Sequence, residues 1–385
     1  MVSSNFHHFE SKKTPFYFYD LSVLTETLDK LSKTTRKLNY KVHYAMKANA
    51  NTRILKKICS YGFGVDCVSG NEIKKALSVG FIAENIVFAG VGKSEDEINY
   101  ALSVGISCFN CESVEELEVI QELAQEKNVI ARVALRFNPD VDANTHKYIT
   151  TGKTENKFGI SSKDIPKLSR QIAESKNINI VGIHFHIGSQ ITSLSVFKSL
   201  AEKVNIIHET CNSYGLEFEH INVGGGLGID YLNPDENIIP DFNSYFNVFN
   251  EGIVLKDGQQ LHFELGRSIV AQCGLLVSKV LYVKAAEKKS FAILDAGMTD
   301  LLRPALYNSV HKIENISKNK DALDSFSYDV VGPICESSDS FGKEVILPKT
   351  ERNDLIAIRS VGAYGEVMAS QYNLRELPKA YYSDS

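Results

Sequence analysis

The chain has 385 residues, 43% of them hydrophobic and 23% charged, with a formal net charge of −5. That is the composition of a folded globular protein, long enough for two domains or for one large barrel with an addition. The mild acidity recommends neither nucleic acid nor an anionic membrane as partner, no apolar run would span a bilayer, and the first twenty residues lack a signal peptide's apolar core.

The first predicted element is a strand in "TPFYFYD" (14–20). Eight strand-like runs follow: 41–49, 63–69, 85–90, 107–113, 131–140, 178–189, 220–226 and 261–267. Between them lie stretches at helical period, such as "NEIKKALSVG" and "SEDEINYALSVG", several opening on a capping Ser or Asn and stopping at Gly. Eight alternating βα units predict an α/β fold, a (β/α)8 barrel of the TIM type, with an open doubly wound sheet as the alternative. Residues 141–158 are polar and rich in Gly and Thr, and read as a mobile loop over the barrel mouth. From 268 onward the helical rhythm fades into strands separated by turns. The expected organisation is a barrel over 22–267 and a β-rich domain from 1–21 with 268–385, which takes the amino-terminal strand.

Seven scattered cysteines, an odd number, fit a reducing compartment and a cytoplasmic protein. "CFNC" (108–111) has CxxC spacing but no second pair or nearby His to complete a metal site. "GVGKS" (90–94) imitates a P-loop, yet Val87 stands where that motif requires Gly. "HFH" (184–186) has the spacing of paired metal ligands without a third, so no metal is expected. His184 reads as an interior barrel residue.

Barrels of this type carry their chemistry at the C-terminal ends of the strands. There the sequence puts Lys47, Asp66, Arg136, His186, Gly224, Gly225, Gly226, Glu264 and Arg267. In "VHYAMKANA" (42–50), Val42, Tyr44 and Met46 share one strand face, and Lys47 ends the run among small residues. Three consecutive glycines after a strand let backbone N–H groups approach an anion, and Arg267 can add charge to a phosphate there. A phosphate site with an isolated lysine suggests pyridoxal phosphate. Its aldehyde needs a neutral amine, which burial and nearby cations favour, and its pyridine nitrogen needs an acidic partner, for which Glu264 is the candidate. Ala45 and Ala48 would leave room for the ring.

The motifs "YAMKAN", "FGVDCVSGNEI", "LRFNPD", "HFHIGSQ", "VGGGLGI", "ELGRSIV", "DAGMTDLLRPALYNSVH", "GPICESSDSFG" and "GAYGEVMASQYN" occur in order along nearly the whole chain. In them the chain resembles the fold-type III pyridoxal-phosphate decarboxylases, most closely the diaminopimelate-specific group. The resemblance implies decarboxylation of meso-2,6-diaminopimelate to L-lysine and CO2. It makes Lys47 the Schiff-base lysine and His186 the ring-stacking imidazole. It places Asp66, Glu72, Arg136, Ser189, Gly226 and Gly266 around the cofactor and pairs Glu264 with the pyridine nitrogen. Arg267 and Tyr364 become contacts to phosphate or substrate, Arg303, Tyr307 and Glu336 substrate-binding residues, and Cys335 the proton donor. It implies a homodimer with shared sites, the "CESSD" loop coming from the partner. The chain departs from the family at Leu265, usually Pro, and at Ser338, usually Gly, which puts loop geometry in question. Arg303 matches a distal carboxylate, which ornithine, arginine and carboxynorspermidine decarboxylases have no need to bind. An alanine racemase or a non-catalytic cofactor-binding relative fits the motifs less well.

Overall fold

The computed structural model describes residues 9–141, 157–287, 289–318 and 324–384. Apart from its ends, the predicted loop at 141–158 lies outside the described residues. The chain divides into two compact units. The first consists of Leu28–Gly228 and Asp241–Gly266, and the second of the chain up to Thr27, Ile229–Pro240 and the chain from Arg267 onward.

Strand β1 (Phe16–Tyr19) belongs to the second unit. The first is built on β2 (Lys41–Ala45), β3 (Gly64–Cys67), β4 (Ile86–Phe88), β5 (Cys108–Cys111), β6 (Ala131–Arg136), β7 (Ile178–His184), β8 (His220–Asn222) and β9 (Gln260–Leu265). These eight close into a barrel, with β2 parallel to both β3 and β9. The expected barrel is therefore the one formed, and the open sheet is excluded.

Each strand is shorter than the apolar pattern predicts. β2 stops at Ala45, and Met46–Ala48 form a 3-10 turn, so Lys47 lies just past the strand instead of ending it. β7 stops at His184 and β8 at Asn222. The reason is that burial outlasts pairing: Met46, Phe185, Ile187 and Val223 are all buried beyond the last ladder residue. The helices begin and end where the capping residues indicate. Ser69, Ser94 and Ser113 each accept a hydrogen bond from the backbone three residues on, and Gly80 and Gly105 take left-handed conformations at the helix ends.

Part of the barrel interior is filled by histidine instead of aliphatic side chains. The rings of His220 and His262 stack at 4.2 Å, and His43 Nε2 lies 3.4 Å from His262 Nδ1. A Cβ on Gly182 would fall 2.5 Å from the His220 ring, so glycine there makes room for an imidazole. Burial lowers the His43 pKa to about 4 and that of His220 to about 3, leaving both neutral at pH 7.

The second unit contains β10 (Gly274–Ala285), β11 (Ser290–Leu294), β12 (Ile313–Asn315), β13 (Ser325–Val331), β14 (Ser340–Pro348), β15 (Leu355–Arg359) and β16 (Lys379–Tyr382). Their order is β12-β15-β10-β11-β13-β14, and β1 pairs with β10 and β16. The amino-terminal strand thus joins the β-rich unit as expected. Its alternation sorts its aromatics: Phe16 and Phe18 pack with Phe9, Leu275, Val277, Leu355 and Ala357. Tyr17 and Tyr19 stack at 6.3 Å, with the Tyr19 hydroxyl 2.6 Å from Glu366.

Candidate active site

In the barrel unit, Lys47 Nζ donates to Asp66 Oδ2 at 2.9 Å. Asp66 is fully buried in β3. Burial, with the nearby Glu264 charge, pushes its pKa up to about 6 despite the ammonium. The lysine is only partly buried, its side chain 37% exposed, so it is the reachable partner. Asp66 Oδ1 is buried with no hydrogen-bond partner.

Glu264, near the end of β9, is held by three donors. Its Oε1 accepts from Asn110 Nδ2 at 2.7 Å and Asn222 Nδ2 at 2.8 Å, and its Oε2 faces His184 Nε2 at 3.0 Å. Burial alone would raise its pKa, but His184, Lys47 and His186 outweigh that and hold the carboxyl below the ordinary range. Glu264 is therefore an anion kept by the strands beside it, with one lone pair of Oε2 left over. Sequence reasoning missed Asn110, Asn222 and this use of His184. The available signal was parity, since His184 and His186 are two residues apart and so share a face.

His186 accepts from the Gly225 N–H at Nδ1, 3.3 Å away, and burial, Arg136 and Lys47 lower its pKa. The ring is thus neutral. The glycine turn is dictated by crowding. A Cβ on Gly224 would lie 2.3 Å from the Phe185 carbonyl, and one on Gly225 would lie 2.0 Å from that of Glu264. The Ile191 N–H bonds the Gly226 carbonyl at 2.9 Å and brings the Ser189 segment alongside the turn. Gly266 explains the small residues at and just after the end of β2. Its Cβ would meet Ala48 at 2.9 Å and Ala45 at 3.1 Å, so close backbone packing accounts for both alanines.

Arg136 is buried, bonds Glu112 Oε1 at 2.6 Å and stacks on Phe158 at 4.8 Å. Glu72 is spent locally, accepting from the Val68 N–H at 2.7 Å. Lys93, the lysine of "GVGKS", is a buried brace. It donates to the carbonyls of Gly90 and Asn110 and to Glu116, the last at 2.6 Å. Cys108 and Cys111 are buried thiols in β5, and all seven cysteines are free. Among the described residues no group of three or more His, Cys, Asp or Glu side chains could hold a metal ion.

The second unit gathers its own cluster. Arg267 donates to the Tyr231 hydroxyl at 2.6 Å and lies over the Tyr364 ring at 4.9 Å. Arg303 lies over the Tyr231 ring at 4.8 Å and reaches His311 Nε2 at 2.8 Å. Tyr307 ends the short helix Arg303–Tyr307. Cys335 and Glu336 sit exposed on a loop, with the Tyr372 hydroxyl donating to Glu336 at 2.8 Å. Buried Asp339 anchors that loop by accepting from the N–H groups of Met298 and Ile334. Ser338 has no positive φ, so its backbone accommodates a side chain where the resemblance leads one to expect glycine. Leu265 pairs with Tyr44 across the barrel seam, so the chain remains in the ladder where the resemblance leads one to expect proline.

Residues 24–271 match the family model described as pyridoxal-dependent decarboxylase, pyridoxal binding domain. The chain is 56% identical to a diaminopimelate decarboxylase of Bacteroides thetaiotaomicron over 98% of its own length and 97% of the relative's. The chain belongs to the diaminopimelate decarboxylase family. The solved structure of the Helicobacter pylori diaminopimelate decarboxylase complexed with L-lysine superposes with a TM-score of 0.89 at 39% identity, covering 98% of this chain and 94% of that one. The corresponding protein of M. jannaschii gives 0.88 at 35% identity, over 98% and 88%. The family's pyridoxal cofactor fits the residues present. The buried Glu264 anion has a lone pair to spare for a protonated ring nitrogen, and Asp66 Oδ1 is a second buried acceptor awaiting a donor.

Proposed function

We propose that this chain decarboxylates meso-2,6-diaminopimelate to L-lysine and CO2 with pyridoxal 5'-phosphate, the last step of lysine biosynthesis. The observation that carries the reading is the near full-length match to a diaminopimelate decarboxylase at 56% identity. The matched stretch, residues 24–271, supports 22–267 as the cofactor-binding domain.

When bound, the cofactor supplies the electron sink for the pair released as CO2 leaves. Lys47, whose side chain is partly exposed beside Asp66, would be the residue that anchors the cofactor's aldehyde and that the substrate amine would displace. The Glu264 carboxylate keeps the ring nitrogen protonated, and His184, Asn110 and Asn222 keep that carboxylate anionic. His186 serves as a flat neutral face for the ring, with Asp66 and Arg136 as its polar surroundings. Ser189, the 224–226 glycines and Gly266 form the phosphate turn, and Arg267 and Tyr364 serve phosphate or substrate. Arg303 binds the distal carboxylate, while Tyr307 and Glu336 complete the substrate contacts. Cys335 delivers the proton to Cα. Each site is shared in a homodimer, one chain giving its Cys335–Asp339 loop to the other's cofactor. The free thiols support a cytoplasmic location, and no helix among the described residues is long and apolar enough to cross a membrane.

CO2 release from meso-diaminopimelate tests the reading, with ornithine and L,L-diaminopimelate as controls. Arg303→Ala should lower kcat/KM for meso-diaminopimelate by about 10²-fold or more. Turnover of ornithine in preference to meso-diaminopimelate would overturn the substrate assignment.

A further inference from the structure

Arg303 is a buried cation, and among the described residues no carboxylate pairs with it. Burial lowers its pKa. Such a charge is retained where an anion is due to arrive. The side chains it touches, His311 and Tyr231, carry no negative charge, and the nearby Arg267 guanidinium adds a second positive one. Arg303 NH1 donates to His311 Nε2 at 2.8 Å, and His311 Nδ1 lies 2.8 Å from the carbonyl oxygen of Arg359. A carbonyl only accepts, so Nδ1 carries the proton and Nε2 is left bare toward the guanidinium.

The carbonyl that sets this tautomer is itself fixed. Arg359 ends β15, and its side chain is clamped by Asp235 at 2.7 Å and Glu314 at 2.8 Å. The Tyr231 ring meets His311 edge-on, centroids 4.9 Å apart, and offers a face to Arg303 at 4.8 Å. Arg303 is thus aimed from two sides without being neutralised. A carboxylate in place of His311 would hold the guanidinium equally well, but it would compete with the incoming anion. A neutral imidazole occupies one of the five N–H donors and, with the Tyr231 hydroxyl, leaves the charge uncompensated and other donors for an anion.

We infer that His311, backed by Tyr231, is a positioning residue that aims Arg303 at the distal carboxylate of the substrate and so sets the preference for ligands bearing that group. The inference rests on the reading of Arg303 given above. L-lysine retains the distal carboxylate, whereas cadaverine lacks it, so the pair of inhibitors reports on this contact alone.

The experiment measures kcat and KM for meso-diaminopimelate, and Ki for L-lysine and for cadaverine, on the holoenzyme of each variant. His311→Phe keeps a ring but removes the acceptor. It should raise KM and the L-lysine Ki about tenfold, while kcat and the cadaverine Ki change less than about threefold. His311→Gln, which can return an acceptor oxygen to the place of Nε2, should recover most of the loss. His311→Leu carries the same measurement if the phenylalanine variant does not fold. Equal weakening of both inhibitors, or a fall in kcat with KM unchanged and no rescue by glutamine, would overturn the inference. If Arg303→Ala leaves the preference for L-lysine intact, the reading of Arg303 itself fails. If Arg303→Ala erases that preference and His311→Phe does not, only the positioning role of His311 fails.

Discussion

Replacing Glu264 with glutamine separates charge from shape at the centre of the barrel. The wild-type carboxylate takes three donors, from Asn110, Asn222 and His184. A hydrogen bond to an ionised acceptor contributes roughly 1 kcal/mol more than one to a neutral acceptor, so three bonds lose about 3 kcal/mol. The glutamine must also point its NH2 somewhere. Facing the two asparagine amides, it opposes donor to donor. Facing His184, it needs Nε2 bare, which moves the proton to Nδ1, a buried atom without an acceptor. Relief from burying a charge offsets part of this, leaving a net destabilisation of about 2 kcal/mol and a fall in Tm of about 4–8 °C. If Glu264 pairs with the ring nitrogen as proposed, its loss should lower kcat about 10²-fold. Thermal unfolding of the cofactor-free protein and CO2 release from the holoenzyme measure the two effects separately. A variant with wild-type Tm and kcat within threefold of wild type would refute the anionic, three-donor account of Glu264.

Lys93→Met should destabilise the barrel by about 2–3 kcal/mol, since it removes the cation from a largely buried carboxylate that keeps only the Glu112 N–H; a Tm drop of under about 3 °C would show that the brace is dispensable. Asp66 has a folded pKa of about 6, above the ordinary carboxyl value, so its favourable contribution is full at low pH and is lost as pH rises through 6. Asp66→Asn should therefore gain about 1.4 kcal/mol of stability relative to wild type between pH 5 and pH 8, and urea unfolding at the two pH values would expose the opposite trend. Lys47→Ala should abolish CO2 release with the fold retained. Mixing it with Cys335→Ala subunits should recover part of the activity if sites are shared, and no recovery in subunits shown to exchange would count against sharing.

The barrel was legible because eight apolar runs alternate with capped helical segments, and both patterns follow from local backbone geometry. Lys47, Asp66 and Glu264 stood out because a charge at the end of an apolar strand is unusual. Strand ends were not legible, because Met46, Phe185 and Val223 stay buried after the ladder stops, and hydrophobicity reports burial, not pairing. Strands β12 and β16 went unseen for the complementary reason. They are three and four residues long, and β16 acquires its role only from β1, more than 350 positions away.

By itself, then, the sequence determined which elements form and which residue types could carry the chemistry, since both depend on neighbours within a turn or a strand. Tertiary structure alone decided the electrostatic state of those residues. Glu264 is an anion because Asn110, Asn222 and His184 come from three other strands. Among the described residues no carboxylate pairs with Arg303, and a backbone carbonyl 56 residues further along fixes the tautomer of the His311 that accepts from it. Charge state is set by what surrounds a group in space, and no local pattern encodes that.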